Sequence, residues 1–370
     1  IALKLAARLR QLDGTFECVL TTTTTTGYAV AEREAAEWMQ VLYNPLDFLI
    51  IIRRAFAVIR PKRIVLVEAE VWPNLVAEAR RHRIPLALVN ARLSARSERR
   101  FRQFRAFVAP TFRCLDLVCV QEAGDVSRWQ QLGVDRERIR LVGSIKYDPL
   151  ETPPDARQSF DLLPRFGISC DSPVLFGGST HPGEEEILAE TFLRLRSEFP
   201  SLSLIIAPRH AERARDVRAA LERLGLRVAQ RSVPDNSEAA DCLLLDSTGE
   251  LRSWYAVATV VFMGKSLTVT GGQNPVEPIL ADKPVVFGPH MENFAVLAEA
   301  LVTTDGAIQV SSSDALTPAL AGLLRDTVSR ERLVQNAHRV LATHRGATQR
   351  TAELLASLRS GGDEQSALRK

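Results

Sequence analysis

Residues Gly264 to Asn293 decide the fold, and they read G-K-S-L-T-V-T-G-G-Q-N-P-V-E-P-I-L-A-D-K-P-V-V-F-G-P-H-M-E-N. The apolar run before them, Val257 to Met263, predicts a buried strand, and Pro284 to Phe287 predicts a second one. Between the two, Asn274 to Glu277 places Asn at an N-cap, Pro at the first helical position and Glu at the third, which predicts a capped helix. The positive end of a helix dipole beside a glycine loop suits a phosphate, although the same pattern also fits a capped helix without a ligand.

The rest of the chain repeats this rhythm of apolar strands and helical patterns. Such alternation predicts an α/β protein whose parallel sheets are covered on both faces. The proline-rich residues 149–154, P-L-E-T-P-P, predict a boundary between two doubly wound, Rossmann-like domains that face a cleft. We therefore expect a first domain over 1–148, incomplete at its N-terminus, a linker over 149–171, a second domain over 172–345, and a helix end with a loose tail over 346–370.

Composition narrows the class of protein. At 370 residues the chain can form two domains, and 46% hydrophobic with 25% charged residues indicate a soluble globular protein. A net charge of +3 gives no reason to expect nucleic acid as a partner. The five cysteines lack C-x-x-C spacing, which favours reduced thiols over a zinc site. The longest apolar run, Phe48 to Ile52, is far shorter than the roughly 20 residues of a membrane span.

Three stretches of the second half combine a strand end, a glycine-bearing loop and a helix start. They are G-G-S-T-H-P from Gly177, D-S-T-G-E from Asp246 with a capping box of Ser247 and Glu250, and Asn274 to Glu277. A fourth strand end, Pro208-Arg209-His210, adds a fixed cation. Together they predict a pocket of amides, hydroxyls and one Arg that suits a nucleotide phosphate, without a P-loop or a G-x-G-x-x-G fingerprint.

The first half places charged side chains at strand ends. Glu68 and Glu70 share one face after an apolar strand, and Lys146 lies in G-S-I-K-Y-D after a later strand. These groups can line a catalytic cleft; equally, Glu70 can pair with a lysine or cap a helix, and Lys146 can be a solvated surface residue. Arginines and phenylalanines are interleaved from Arg92 to Arg113, which fits either an anionic membrane surface or a solvated Arg face over a Phe core.

Seven ordered motifs resemble those of the 3-deoxy-D-manno-octulosonic acid (Kdo) transferases over residues 1–345. They are E-A-E-V-W-P-N, V-N-A-R-L-S-A-R-S, V-G-S-I-K-Y-D, G-S-T-H-P-G-E-E-E, A-P-R-H, G-G-Q-N-P-V-E-P and F-G-P-H-M-E-N-F. The resemblance implies the GT-B glycosyltransferase fold and transfer of Kdo from CMP-Kdo to a lipid A precursor, lipid IVA, in lipopolysaccharide core biosynthesis. It implies an anionic membrane surface as a partner, at the cytoplasmic face of the bacterial inner membrane. We expect an inverting, metal-independent reaction that releases CMP and needs no cofactor.

Carried over by motif, the resemblance implies roles for individual residues. Glu68 and Lys146 would stabilise the transition state, and Glu277 would bind the ribose hydroxyls of the nucleotide. The substrate-binding set that the resemblance implies is Pro208, Arg209, Thr248, Gly249, Glu250, Asn274, Pro275, Val276 and Glu277.

The chain departs from the family pattern in three places. Lys265 stands in G-K-S where the family usually has G-G-S, and Gln273 stands where it usually has His, so we expect changed packing or sugar contacts. The family's general base, a Glu in an S-V-G-E motif, and its membrane-anchoring helix would precede Ile1 and are absent from this sequence. A general base is typically worth about 10²–10⁴-fold, so we expect the chain as given to be weakly active.

Two other functions stay open at this point. One is another enzyme of the same architecture, either a nucleotide-sugar epimerase or a transferase that uses a UDP-sugar. The other is a non-catalytic nucleotide-binding protein, a class that the absent base would allow.

Overall fold

The computed structural model describes residues 1–93, 95–148, 157–233 and 240–358. The chain divides into two compact units, which we call unit 1 and unit 2. Unit 1 comprises Ile1–Pro149 and Thr343–Lys370, and unit 2 comprises Leu150–Ala342. Residues 149–156 of the predicted linker and 359–370 of the predicted tail lie outside the described residues.

Unit 1 holds two parallel sheets within its described residues. Its strands are β1 (Cys18–Thr22), β2 (Met39–Tyr43), β3 (Ile64–Val67), β4 (Leu86–Ala91), β5 (Leu117–Val120) and β6 (Ile139–Leu141). Its helices up to β6 are α1 (Ala2–Leu12), α2 (Thr25–Glu34), α3 (Leu49–Ile59), α4 (Pro73–Arg81), α5 (Ala95–Gln103), α6 (Arg105–Phe112) and α7 (Ala123–Gln131). β1 pairs with β2, and the second sheet has the order β3-β4-β5-β6.

The strands described in unit 2 form one parallel sheet. Its strands are β7 (Val174–Thr180), β8 (Ser203–Pro208), β9 (Val228–Gln230), β10 (Cys242–Leu244), β11 (Val260–Met263), β12 (Val285–Phe287) and β13 (Ile308–Gln309). Its helices are α8 (Arg157–Leu162), α9 (Glu184–Arg196), α10 (Ala214–Arg223), α11 (Leu251–Trp254), α12 (Val276–Leu280), α13 (Ala295–Thr303), α14 (Ser313–Arg325) and α15 (Thr327–Ala342). The strand order is β13-β12-β11-β7-β8-β10-β9.

Every residue of the central strands β7, β8, β10 and β11 is buried. Strands that are buried on both faces read as continuous apolar runs, which is why the sequence pattern located them. The predicted α/β fold with parallel sheets is confirmed. Part of the predicted linker is not extended chain, because α8 falls within it and belongs to unit 2.

The sequence from Tyr28 to Met39 predicts a helix, and this prediction is wrong at both ends. α2 begins at Thr25, where the Thr24 hydroxyl accepts a hydrogen bond from the Gly27 amide at 3.0 Å, and it ends at Glu34. Met39 then opens a strand that pairs in parallel with β1. The sequence M-Q-V-L-Y fits a helix as well as a strand, so the pairing partner decided its conformation.

The final helix, α16 (Ala347–Ser357), is separate from α15 and belongs to unit 1. It was predicted as the end of the preceding helix. Between α15 and α16, the Asp148 carboxylate accepts hydrogen bonds from the amides of Gly346 at 2.7 Å and Thr348 at 2.8 Å, and these bonds fix the start of α16. α16 then packs on α1 in an apolar cluster that contains Leu5, Leu9, Ala352 and Leu355.

The sequence from Phe101 to Cys114 predicts one basic, aromatic helix, but the structure divides this segment at Phe104 between α5 and α6. Phe112 contacts Phe101 and Trp129 edge to face, with ring centroids 5.4 and 5.5 Å apart, inside the core. Phe104 and Phe107 point outward, and Phe107 is 82% exposed. The segment therefore places Phe112 in the core and Phe107 on the surface, which leaves the predicted membrane contact a prediction.

Candidate functional site

A cavity of about 110 Å³ lies at the carboxyl edge of the unit 2 sheet. It collects Pro208 and Arg209 from the end of β8 with Thr248, Gly249 and Glu250 from the loop after β10. Ligands of open parallel sheets bind at such carboxyl ends. The structure thus brings together five of the predicted substrate-binding residues.

Glu250 is held in this cavity by side-chain donors rather than by a capping box. α11 begins at Leu251, so Ser247 is not its N-cap as predicted. The Glu250 carboxylate accepts hydrogen bonds from Arg231 Nε at 3.2 Å and Trp254 Nε1 at 3.3 Å. Burial raises the pKa of Glu250, but its polar neighbours Ser247, Trp254 and Arg231 together lower it below its usual range. The carboxylate is therefore an anionic acceptor at neutral pH.

The N-P-V-E segment also lacks the predicted capping box. α12 begins at Val276 with Pro275 at its N-cap, and Asn274 Oδ1 accepts a hydrogen bond from the Val276 amide at 3.2 Å. Burial raises the pKa of Glu277, while the charges of Arg252 and Arg209 lower it. Because Glu277 interacts with Arg209, the segment belongs to the same edge as the cavity.

Tyr255 lies beneath this edge and was not identified from the sequence. Its side chain is fully buried, and burial together with the charge of Glu277 raises its pKa. A Cβ at Gly178 would lie 2.7 Å from the Tyr255 hydroxyl oxygen, so only glycine allows this close packing. The next residue, Ser179, has a φ of 53° and lines the cavity.

Glu184 organises the loop that follows β11. Its carboxylate is completely buried and accepts four backbone N–H bonds, two on each oxygen. The donors are His181 at 2.9 Å and Lys265 at 2.7 Å to Oε2, and Ser266 at 2.9 Å and Leu267 at 3.0 Å to Oε1. The sequence indicated Glu184 only as a residue of the α9 helix start, since three of its donors lie about 80 positions later.

The glycine loop of the G-K-S to G-G-Q-N stretch is closed by further backbone bonds. The Gly272 amide donates to the Lys265 carbonyl at 2.7 Å, and the Gly271 amide donates to Glu292 Oε2 at 2.6 Å. A Cβ at Gly264 would lie 2.3 Å from the Ser179 carbonyl oxygen. Tight backbone packing therefore fixes this loop beside β7.

Unit 1 carries the two residues that were predicted to be catalytic. Glu68 follows β3 with a φ of 63°, a strained conformation for a residue other than glycine. Desolvation lowers the pKa of Lys146, the charge of Glu68 raises it, and the charge of Arg92 lowers it further. The structure therefore brings Glu68 and Lys146 to the same edge of unit 1.

A buried polar network supports the Lys146 loop. Asn90 Oδ1 accepts hydrogen bonds from the Ser144 hydroxyl at 3.3 Å and the Ile145 amide at 3.0 Å. His344 Nδ1 accepts a hydrogen bond from the Ser144 amide at 3.2 Å. Burial lowers the pKa of His344 to about 4, so the ring is neutral at physiological pH. The sequence did not reveal this support, because Asn90 and His344 lie far from Lys146 along the chain.

A larger cavity of about 420 Å³ lies at the opposite, amino edge of the unit 2 sheet. It is lined by residues that precede β11 and β12, among them Thr259 and Lys283, and by α15. Its size does not make it the better site. The predicted residues converge on the carboxyl edge, where parallel sheets bind their ligands.

Two comparisons define the class and the family. UDP-GlcNAc 2-epimerase from Neisseria meningitidis, bound to UDP-GlcNAc, superposes with a TM-score of 0.64 over 96% of each chain at 13% identity. This likeness places the chain in the fold class of GT-B glycosyltransferases and epimerases. Residues 1–149 match the family described as 3-deoxy-D-manno-octulosonic-acid transferase (kdotransferase).

Curated relatives agree with that match. The 3-deoxy-D-manno-octulosonic acid transferase of Haemophilus influenzae is 34% identical over 356 residues, which cover 96% of this chain and 83% of the relative. The enzyme of the same name from Bordetella pertussis is 32% identical, over 91% of this chain and 80% of the relative. The chain belongs to the 3-deoxy-D-manno-octulosonic acid transferase family, and it is a glycosyltransferase. The epimerase alternative shares only the fold.

Proposed function

We propose that the protein transfers Kdo from CMP-Kdo to the lipid A precursor lipid IVA, in lipopolysaccharide core biosynthesis at the cytoplasmic face of the bacterial inner membrane. CMP-Kdo would bind at the carboxyl edge of unit 2. The observation that carries this proposal is the cavity where Arg209 meets Thr248, Gly249 and Glu250. The Arg209 guanidinium forms no hydrogen bond or salt bridge with the residues that the structure describes, so it is available to a phosphate.

The remaining predicted residues complete this half of the site. Glu277 is close enough to Arg209 to interact electrostatically, and its carboxylate can accept the ribose hydroxyls of the nucleotide. Pro208 and Gly249 let the ligand approach the backbone, and the φ of 95° at Gly249 favours glycine there. Asn274, Pro275 and Val276 position Glu277 at the start of α12.

In the proposed reaction, the proton of an acceptor hydroxyl passes to a general base, and the hydroxyl oxygen attacks the anomeric carbon of Kdo as the bond from that carbon to the CMP phosphate oxygen breaks. The bonding electrons pass to the phosphate, so CMP leaves and the anomeric configuration inverts. Arg209 would stabilise the charge that develops on the phosphate. As the family resemblance implies, Glu68 and Lys146 would stabilise the transition state, with the Lys146 ammonium supported by the Glu68 charge.

Ligand binding tests the donor. We expect CMP to raise the thermal midpoint of the protein and UDP at the same concentration to leave it unchanged. Arg209→Ala should remove most of the CMP shift, because the phosphate loses its charged donor. Arg215→Ala, an exposed arginine on α10, is the matched control and should retain the shift. Equal protection by UDP and CMP would contradict the proposed donor.

The proposal includes a reaction without a metal. Within the described residues, no three His, Cys, Asp or Glu side chains are grouped so that they could hold a metal ion. The leaving phosphate would be stabilised by Arg209 instead. Treatment with EDTA should leave turnover unchanged, and a loss of turnover that magnesium restores would contradict this part of the proposal.

The anionic membrane surface is the second proposed partner. No helix in the part of the chain that the structure describes is both long and apolar enough to span a membrane. α3 and the residue before it expose large apolar groups, with Phe48 at 65% and Ile50 at 69%, beside the exposed Arg53 and Arg54. α4 contacts both α3 and α6, and α6 exposes Phe107. Apolar side chains beside arginines favour anionic lipid, with about 1 kcal/mol per basic residue.

Vesicle sedimentation tests this surface. Ile50→Glu and Phe107→Glu should each weaken binding to vesicles that contain an anionic phospholipid, since each places a carboxylate in the contact. Val328→Glu is the matched control, because Val328 is 73% exposed on α15 of unit 2. An equal loss with Val328→Glu would show that added negative charge alone causes the effect. If Ile50→Glu and Phe107→Glu both bind these vesicles as well as the wild-type protein does, the proposed surface is wrong.

A further inference from the structure

Lys265 has a backbone conformation that disfavours its side chain. Its φ is 57°, in the left-handed region where glycine is preferred. Both of its backbone groups are fixed, because its amide donates to Glu184 at 2.7 Å and its carbonyl accepts from Gly272 at 2.7 Å. The loop therefore cannot relax to relieve the strain. A glycine would adopt the same conformation without that cost.

The Lys265 ammonium has no partner among the described residues. It forms no hydrogen bond or salt bridge there, although the residue is half-buried. Its Cε and Nζ lie against the backbone of Gly271, 3.0 and 3.2 Å from where a Cβ of that residue would be. The positive charge of Lys265 also reaches His181. A lysine that keeps a strained backbone while its ammonium has no protein partner is a candidate ligand for an anionic group.

The position of Lys265 in the sheet separates it from the proposed phosphate site. Lys265 follows β11 and Arg209 follows β8, and β7 lies between these two strands. Neighbouring strands are about 4.8 Å apart, so the two strand ends are separated by roughly 10 Å. That backbone separation is comparable with the span from a nucleotide phosphate to the far side of the sugar attached to it.

We propose that Lys265 binds the carboxylate of the sugar acid that CMP carries, and so selects an acidic sugar at the donor site. This inference rests on the proposed function, because it takes CMP-Kdo to be the donor. The shared chemistry is an anionic group, which could be the sugar carboxylate or the nucleotide phosphate. We assign it to the carboxylate because Lys265 and Arg209 follow strands that are not neighbours in the sheet, and a comparison of CMP with CMP-Kdo distinguishes the two sources.

Calorimetric titration of the full chain with CMP and with CMP-Kdo tests the proposal. We expect Lys265→Gly to weaken CMP-Kdo binding about 10- to 30-fold, a loss of about 1.4–2 kcal/mol, while CMP binding changes less than twofold. The same variant should keep or raise the thermal midpoint, because glycine relieves the strained backbone. Lys265→Arg, which retains the charge, should keep most of the CMP-Kdo affinity.

Asp305→Gly is the matched control for strain. Asp305 is an exposed residue of unit 2 with a φ of 55°, and its replacement should leave both affinities unchanged. Unchanged CMP-Kdo binding in Lys265→Gly would overturn the inference, and so would equal weakening of both ligands, which would assign Lys265 to the phosphate. Either result leaves the proposed donor standing if the wild-type protein binds CMP-Kdo. A wild-type protein that binds neither ligand would overturn the proposed function and this inference with it.

Discussion

The lysine loops of unit 1 and unit 2 are supported by different chemistry. In unit 2, the Glu184 carboxylate accepts four backbone N–H bonds, three of them from the loop that carries Lys265. In unit 1, the Asn90 amide oxygen accepts the Ser144 hydroxyl and the Ile145 amide, just before Lys146. Both acceptors are completely buried. A formal charge aligns four backbone dipoles in one unit, whereas a neutral amide oxygen accepts two donors in the other.

The difference bears on how firmly each loop is held. Hydrogen bonds to an ionised acceptor are roughly twice as strong as neutral ones, so the Lys265 loop should be the more rigid. Unit 1 adds a neutral His344 to its network, which makes its support sensitive to pH. The comparison can be tested by removing each support in turn.

Glu184→Gln should have the largest effect. Glutamine keeps one oxygen for two of the N–H donors and turns its own NH₂ toward the other two. We expect the free energy of unfolding of unit 2 to fall by about 3–5 kcal/mol, measured by calorimetry. Glu190→Gln on the same helix is the control, since its only described ion pair is exposed, with Arg194 at 3.8 Å, and should cost less than about 0.5 kcal/mol. Equal effects of the two variants would contradict the role of Glu184.

Asn90→Ala should cost less, about 2–4 kcal/mol, because two donors lose their acceptor instead of four, and this loss includes the strain that a φ of 51° places on alanine. Urea unfolding of unit 1 measures this loss. Asn44→Ala provides a control in the same unit, where the side chain accepts an exposed hydrogen bond from Thr21 at 3.1 Å. A loss larger than that of Glu184→Gln would reverse the proposed order of the two supports.

The sequence predicted the parts of the site that lie in strand-end loops. Pro208, Arg209 and the 248–250 segment could be grouped because the carboxyl ends of parallel strands meet at one edge. It did not predict Glu184 as the centre of the loop, since donors about 80 positions away leave no local pattern. The capping boxes failed for a related reason. Asn274 and Ser247 have cap-forming residue types, but the tertiary fold starts α12 at Val276 and α11 at Leu251.

The fold was predicted best where burial is complete. Continuous apolar runs located the central strands of unit 2. The short edge strands β9 and β13 and the half-exposed β2 were missed, because two or three apolar residues do not distinguish a strand from a loop. The Arg/Phe segment shows the same limit: periodicity cannot tell that Phe112 is buried while Phe107 is exposed.

The unit 1 network should lose stability as the pH falls. The pKa of His344 is lowered from 6.5 to about 4 by burial, so the folded protein binds fewer protons than the unfolded chain between these values. The neutral ring of His344 contributes fully to the free energy of unfolding above about pH 6.5. As the pH falls toward 4, this contribution is lost progressively, and the free energy of unfolding decreases by roughly 1–3 kcal/mol. Urea unfolding at pH 7 and pH 5 measures the loss.

Two variants isolate this effect from the other groups that titrate in acid. His344→Asn should show a smaller loss between pH 7 and pH 5 than the wild-type protein. His338→Asn should behave like the wild type, because the His338 side chain is 39% exposed. A pH dependence that persists unchanged in His344→Asn would assign it to another group.

Glu68→Gly should have the smallest effect on stability and a distinct effect on charge. Glycine relieves the φ of 63°, so we expect the free energy of unfolding to stay unchanged or to rise by up to about 1 kcal/mol. The pKa of Lys146 should fall further, because the Glu68 charge that raises it is gone. Glu68→Gln should lower that pKa in the same direction while it keeps the strained backbone. NMR titration of ¹³C-lysine-labelled protein, assigned with Lys146→Arg, separates the two effects. If the pKa of Lys146 does not fall in either variant, Glu68 does not support the ammonium, and the strain at Glu68 needs another explanation than the placement of its charge.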